Sequence, residues 1–562
     1  MKFSQMKYER PELPKMQSTI RMYLDKFQKS ATPQEAIENY IAFDEYVAGI
    51  ETSNNLAYIH KSMDTNNQFY KDEMDFWDET WPILEEVIKP FNQALLSSPF
   101  RKEMEEKWGA VLFVNAEMAL KTFKPEIVED LQVENALSTE YEELEASAQI
   151  PFNGKTLNLA EFGAYYENKD PEIRRRARDA VAGWWLENGD KMDEIFDKMV
   201  AVRTKIAKTL GYDNFVQLGY DRMGRNCYNA ADVAKFRQGI VDYIVPLSNR
   251  LKAQQAKRIG VDKITLYDNA FHYPDGNAKP IGNPKQILEH GRKMYQEMSP
   301  ETAEYIDHLL DNGLIDVLTR PGKQSGGYCS VLSAYKASFI FANFDGTAGD
   351  IDVLTHEVGH AFAYHNARHI QPTGLTEGSM DICEIHSMSM EFFAWPWMEG
   401  FFGDQTEKYY DSHIAASVNF LPYGAMIDEF QHWVYENYNA TPKDRHNHWA
   451  KLEEKYRPYL DQSGIPFYQD GRLWQNSLHI YCVPFYYIDY VLAGIVALGF
   501  WAENQQNPKA AWERYLKLVR NAGTKTFLDL IKEAELPNPF EPESMEKVTK
   551  AVLTFTLKGY LS

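Results

Sequence analysis

Five consecutive residues, His356, Glu357, Val358, Gly359 and His360, carry the most specific chemical signal in the chain. On a helix, histidines at i and i+4 lie one turn apart on one face. Both imidazoles then reach a single tetrahedral zinc ion, and Glu357 flanks the remaining, water-filled position. Zinc lowers the pKa of its water to roughly 7 and polarises a carbonyl, while such a carboxylate moves a proton from the water to a leaving amine. The implied chemistry is hydrolysis. With 14 histidines in 562 residues, chance alone yields the pattern in roughly 3% of comparable chains, so the surrounding elements must decide.

Those elements fit. Thr347 followed by Asp350 reads as a capping-box variant, which starts a helix about two turns before His356 and lets it run to about Arg368. Asp350 and Asp352 put negative charge in its first turn, where the helix dipole favours it. Upstream, Phe339, Ile340, Phe341 and Phe344 mark a short strand between Ala337 and Gly346. An exposed strand edge beside the metal helix would bind a peptide through its backbone.

A third ligand must follow. The pattern that adds a glycine and a third histidine on the same helix is excluded, because Ala363 and Asn366 occupy those positions. His365 and His369 lie about 180° and 220° round the helix from His356, a polar face near the helix C-terminus. Glutamates on a neighbouring element remain. Glu377 sits in a loop between two glycines; Glu384 and Glu391, seven apart, share one face of a helix that Pro396 ends, and His386 lies on the opposite face.

HEVGH, a Gly-containing loop, EIHSMSME from Glu384 to Glu391, and GKQSGGYC from Gly322 to Cys329 together resemble the oligoendopeptidase F and PZ-peptidase branch of the thimet oligopeptidase family of zinc metallopeptidases. The resemblance implies one zinc ion held by His356, His360 and Glu384, with Glu357 as general base and acid. It puts Glu391 where the family has a second carboxylate on the ligand helix, suited to orient a ligand imidazole or to form a structural ion pair. Asp170 to Trp185 and Leu210 to Arg225 resemble the family's helices before the catalytic core, with less specificity.

The same resemblance extends to His479–Gly494. Family members use a histidine and tyrosines from this region to donate hydrogen bonds to the carbonyl oxygen as it becomes an oxyanion. His479, Tyr487 and Tyr490 match these, and Tyr486 and Tyr481 are further candidates. An aromatic stripe on a buried helix is the competing reading. Cys482 to Trp501 is long and apolar enough to cross a membrane, but Asp489, Pro484 and the lack of a basic flank point to a buried helix.

Composition bounds the rest. The net charge of −22 disfavours nucleic acid and membrane partners, and the cluster Arg174, Arg175, Arg176 and Arg178 reads as a solvated helix face. The N-terminus lacks the apolar stretch of a secretory signal. Four scattered cysteines, Cys227, Cys329, Cys383 and Cys482, read as reduced thiols in a cytoplasm, and Cys329 and Cys383 are the two placed to lie near the metal. Helical periodicity dominates, with a hairpin at Pro151–Leu159 and a surface excursion or small β-element from Ile264 to Gly282.

The expected architecture is mainly α, with an N-terminal helical lobe over residues 1–190, a catalytic domain over 191–562 and a small β-element beside the zinc helix. The resemblance implies a deep channel between the lobes that admits oligopeptides of roughly 5 to 20 residues in extended form, pairing along Phe339 to Phe344. The expected function is a cytoplasmic zinc oligoendopeptidase. The alternatives are a zinc carboxypeptidase on a related helical scaffold and a non-catalytic helical peptide-binding protein.

Overall fold

The computed structural model describes residues 1–558. The chain is mainly α, with one hairpin and one three-stranded sheet. Its first helices, Leu13–Gln28, Pro33–Met63 and Gln68–Leu96, share an apolar cluster of their own, in which Met16, Ile20, Trp77, Leu84 and Phe91 are buried. Local chemistry starts two of them: Thr32 accepts from the Glu35 amide ahead of Pro33, and Asn67 accepts from the Phe69 amide. A 40-residue helix, Pro171–Leu210, then runs through residue 190 without a break and leads into the larger core.

The hairpin pairs β1 (Ile150–Phe152) with β2 (Lys155–Leu157). Asn153 and Gly154 join them, both at positive φ, the backbone that a two-residue hairpin turn requires. The segment from Ile264 to Gly282 has a single bridge, Thr265 with Asp461. It is no surface excursion, because Ile264, Leu266, Phe271 and Ala278 are buried.

Three strands, β3 (Ile315–Leu318), β4 (Tyr328–Leu332) and β5 (Ala337–Phe344), form the sheet beside the HEVGH helix in the order β3-β5-β4. β5 is parallel to β3 and antiparallel to β4, with Cys329 opposite Ile340 and Leu332 opposite Ala337. The expected strand exists, but it is central and almost wholly buried, so peptide pairing along Phe339–Phe344 is ruled out. β3 and β4 are the two edges, and β4 is the one that packs beside the HEVGH helix. A continuous apolar run suits a strand covered on both faces, whereas the more polar YCSVL lies half-exposed at the rim.

The helix that follows, Gly349–Ala367, begins where expected, but Thr347 does not cap it. Asp350 reaches back to accept from the amides of Asp345 and Gly346, at 2.8 and 3.0 Å, and Thr347 donates to Asp345. Its neighbour is Met380–Phe393, which carries Glu384. The two cross at Gly359, where an added Cβ would lie 2.6 Å from Ser387 Cα and 2.8 Å from the His386 carbonyl oxygen. Since backbone and not a flexible side chain fills that space, Gly359→Ala is expected to cost about 1–3 kcal/mol. The check is the urea midpoint: an unshifted midpoint would mean that the crossing has slack.

A third helix, Tyr487–Asn504, packs against Met380–Phe393 and is buried over most of its length. Among the described residues no helix is long and apolar enough to cross a membrane. The arginine cluster departs from its expected role. Arg175 and Arg176 are exposed, but Arg174 is buried 2.6 Å from Asp268 and lies over the Phe271 ring, while Arg178 covers Tyr166. Arg174 thus packs into the buried Ile264–Gly282 segment instead of facing solvent.

Candidate metal centre

His356 and His360 project from one face of their helix, with ring centroids 5.0 Å apart. Glu384 Oε2 approaches from the neighbouring helix to 3.2 Å from His356 Nε2 and 3.4 Å from His360 Nε2. One donor atom from each of these three residues lies within 4.8 Å of the other two. Two imidazole nitrogens and a carboxylate oxygen converging in this way match the three protein ligands of a catalytic zinc site.

The electrostatics agree with that fit. Burial disfavours charge on both sides of the pair, yet the histidine rings hold the Glu384 carboxyl well below the usual range, and Glu384 and Glu391 raise His356 well above its own. The negative field that favours a proton on His356 also attracts a divalent cation, which must displace that proton to bind. Glu391 takes the far side of the ring, with Oε1 2.7 Å from His356 Nδ1. Of the three glutamates weighed from sequence, Glu384 and Glu391 thus contact His356 at opposite nitrogens. Glu377 stays in its loop, in the wall of the same cavity.

Glu357 lines the same cavity as His356 and His360 but is not one of the three converging donors. It is buried and its Oε2 has no hydrogen-bond partner. Burial raises its pKa against the pull of His356 and His360. A cavity of about 890 Å³ brings together His356, Glu357, His360, Glu377, Glu384, the edge strand β4 and the residues His479, Tyr486, Tyr487 and Tyr490. A larger concavity of about 1180 Å³ near the C-terminal helix is lined by no histidine or cysteine among the described residues and offers no comparable chemistry.

The C-terminal aromatic residues separate into two groups. Tyr486 donates to Glu384 Oε1, its ring centroid lies 4.8 Å from that of Tyr490, and Tyr490 Oη is 3.4 Å from His479 Nε2. Tyr487 lies beside His479, with 5.0 Å between centroids. Tyr481 is no part of this group: it is fully buried and stacks on Tyr141 at 3.9 Å. The turn preceding these tyrosines is built against a backbone penalty. Phe485 has φ 69°, and it is clamped by Arg225, which donates to its carbonyl, and by Gln431, which accepts from its amide.

Burial lowers the pKa of His479 to about 4, so its ring is neutral at pH 7. His365 is buried and faces Glu304 at 3.6 Å, away from the metal face; only His369 is exposed there. Cys329 and Cys383 both line the cavity, and burial pushes both thiols well above their usual range. All four cysteines are free. Sequence reasoning missed His413, Trp395 and Tyr409, which complete the contacts behind Glu391.

The Peptidase M3 N-terminal domain matches residues 3–123, and Peptidase family M3 matches residues 164–549. The solved structure of PZ peptidase A with inhibitor 2 superposes with a TM-score of 0.97 at 46% identity, over 99% of each chain. Oligopeptidase PepF of Bacillus subtilis (strain 168) is 23% identical over 419 residues, 71% of this chain and 59% of that protein. Chromosomal oligoendopeptidase F of Lactococcus lactis subsp. cremoris is 22% identical over 391 residues, 67% of this chain and 62% of that protein. The match therefore spans less than two thirds of the length of these two curated relatives.

Proposed function

The chain belongs to peptidase family M3, and from that premise we propose that it is a cytoplasmic zinc oligoendopeptidase, cutting internal bonds of short unstructured peptides. The observation that carries this reading is the convergence of His356, His360 and Glu384 beside the unpartnered, buried carboxylate of Glu357, in one cavity. His356, His360 and Glu384 would hold the ion, and Glu391 would keep the His356 ring in place. Bound zinc would supply Lewis acidity toward water and the scissile carbonyl.

The remaining steps belong to the chain itself. The β4 edge pairs with the substrate backbone, which admits peptides irrespective of sequence. Glu357 takes a proton from the attacking water and returns it to the leaving amine. Hydroxyls of Tyr487 and Tyr490, with the neutral His479, donate to the carbonyl oxygen as charge develops on it, whereas the one hydroxyl hydrogen of Tyr486 is committed to Glu384. The lobed arrangement, an N-terminal lobe against a catalytic one, is part of the same proposal and would exclude folded proteins.

The cavity also bears on the carboxypeptidase alternative. A carboxypeptidase needs a cation for the free C-terminal carboxylate. Among the described residues the cavity lining holds Glu145 and Glu377 but no lysine or arginine, and like charge there disfavours a terminal carboxylate. Incubation with a mixed library of 5- to 20-residue peptides (about the length range set by extended-chain reach), followed by mass spectrometry, is expected to give internal fragments that a chelator abolishes. Stepwise loss of single C-terminal residues would overturn the endopeptidase reading. A protein that binds no zinc and cuts nothing would leave a peptide-binding role.

Tyr490→Phe tests the oxyanion donors, since it removes one hydroxyl and keeps the ring. Burial holds this phenol protonated and able to donate. The expected loss is about 10²-fold in kcat, with KM and zinc content unchanged; unaltered kcat would return Tyr490 to a packing role.

A further inference from the structure

Behind His356 lies a chain of hydrogen bonds that no motif announces. The Trp395 indole N–H lies 3.0 Å from His413 Nδ1, His413 Nε2 lies 2.9 Å from Glu391 Oε2, and Glu391 Oε1 lies 2.7 Å from His356 Nδ1. Trp395 and His413 are both about 4% exposed. Tyr409 stacks on the His413 ring, 5.3 Å between centroids, which prevents it from turning over freely. Among the described residues the other acceptor facing His413 Nε2 is Asp352 Oδ1, at 3.8 Å, and the Tyr409 hydroxyl already donates to it at 2.7 Å.

We propose that Trp395 and His413 are positioning residues that determine which nitrogen of His356 is free to bind the metal. An indole nitrogen can only donate, so His413 Nδ1 must present its lone pair. A neutral imidazole then carries its hydrogen on Nε2 and donates it to Glu391. Glu391 is thereby kept an acceptor on both oxygens, and His356 must donate from Nδ1. That leaves the His356 Nε2 lone pair on the side of His360 and Glu384. A hydrogen three hydrogen bonds away from His356 thus selects the tautomer of a ligand.

Burial opposes a second proton on His413, while the carboxylates of Asp352 and Glu391 favour one and raise its pKa. That proton would have to sit on Nδ1, facing the indole N–H, so the geometry keeps the ring neutral. Without the Trp395 hydrogen, His413 is free to carry its hydrogen on Nδ1 and to turn a lone pair toward Glu391. Two acceptors would then confront each other in a buried space, and Glu391 would no longer be committed to His356.

The inference rests on the zinc reading, and one set of measurements separates the two. Zinc dissociation constants are measured by chelator competition for the full chain and for Trp395→Phe, Trp501→Phe, His413→Gln and His413→Phe. Trp501 is the matched control: it packs 5.9 Å from Trp395, and its own indole N–H is buried without a partner. Trp395→Phe is expected to weaken zinc binding about 10- to 100-fold, and Trp501→Phe to change it less than about 2-fold. His413→Gln, whose amide can still donate to Glu391, should bind zinc more tightly than His413→Phe. If the wild-type chain binds no zinc, the zinc reading itself fails. If it binds zinc but Trp395→Phe binds as tightly, or Trp501→Phe loses as much, or the two His413 variants are equal, the relay is refuted.

Discussion

A Glu357→Gln variant is expected to keep one equivalent of zinc and to lose about 10²- to 10⁴-fold in kcat, the range associated with a positioned general acid–base. Glutamine preserves the packing of a buried side chain, and Glu357 is not among the three residues whose donor atoms converge. What it cannot do is accept a proton. The buried carboxylate has a raised pKa and an oxygen with no partner, which leaves that oxygen available to an incoming water. Turnover of an internally quenched peptide and metal content on the same preparation provide the check. Turnover near wild type with zinc retained would assign the proton transfer to another group.

The second large effect is expected from Glu384→Ala. Glu384 supplies the one carboxylate oxygen within 3.2 and 3.4 Å of both Nε2 atoms, and it is fully buried, so water replaces it poorly. Zinc affinity should fall by more than about 100-fold, beyond the usual loss from removing an outer-shell partner. Glu377→Ala serves as comparison: Glu377 lies in the cavity wall on a loop between glycines, and its removal should leave affinity near that of the wild type. The opposite ranking in a zinc titration would move the site to the loop.

The contrast between these two glutamates shows where sequence stops being informative. HEVGH is legible because an i, i+4 pair is a local relation, fixed by one helix. The choice among Glu377, Glu384 and Glu391 depends on how two helices cross, and that is set by Gly359 against Ser387, a contact that spacing does not encode. The resemblance pointed to Glu384; residue spacing alone left it open. The strand near Phe339 was legible as a strand, but its apolar continuity was the sign of a central position, and β4 takes the edge beside the helix.

The aromatic region divides in the same manner. Tyr481 and Tyr486 are equivalent by composition, and only packing sends one onto Tyr141 and the other to Glu384. Arg174 looked like its exposed neighbours because its partner, Asp268, is 94 positions away. His413 and Trp395 carried no signal at all. Their role arises from a contact network, and neither lies at a spacing that any metal motif prescribes.

The separation of Tyr486 from Glu384, 102 positions, bears on how the molecule is made. A ribosome delivers the chain from its amino end, and folding follows that order. The three converging donors lie between positions 356 and 384, so they emerge well before the hydroxyls at 486, 487 and 490. On the proposed mechanism, a nascent polypeptide that has emerged only as far as Glu384 carries the ion-binding helix without the groups that steady an oxyanion. Proteolytic competence on that mechanism waits until Tyr487 and Tyr490 have emerged and packed, by which time the residues between the two sets are also out of the ribosome and able to fold.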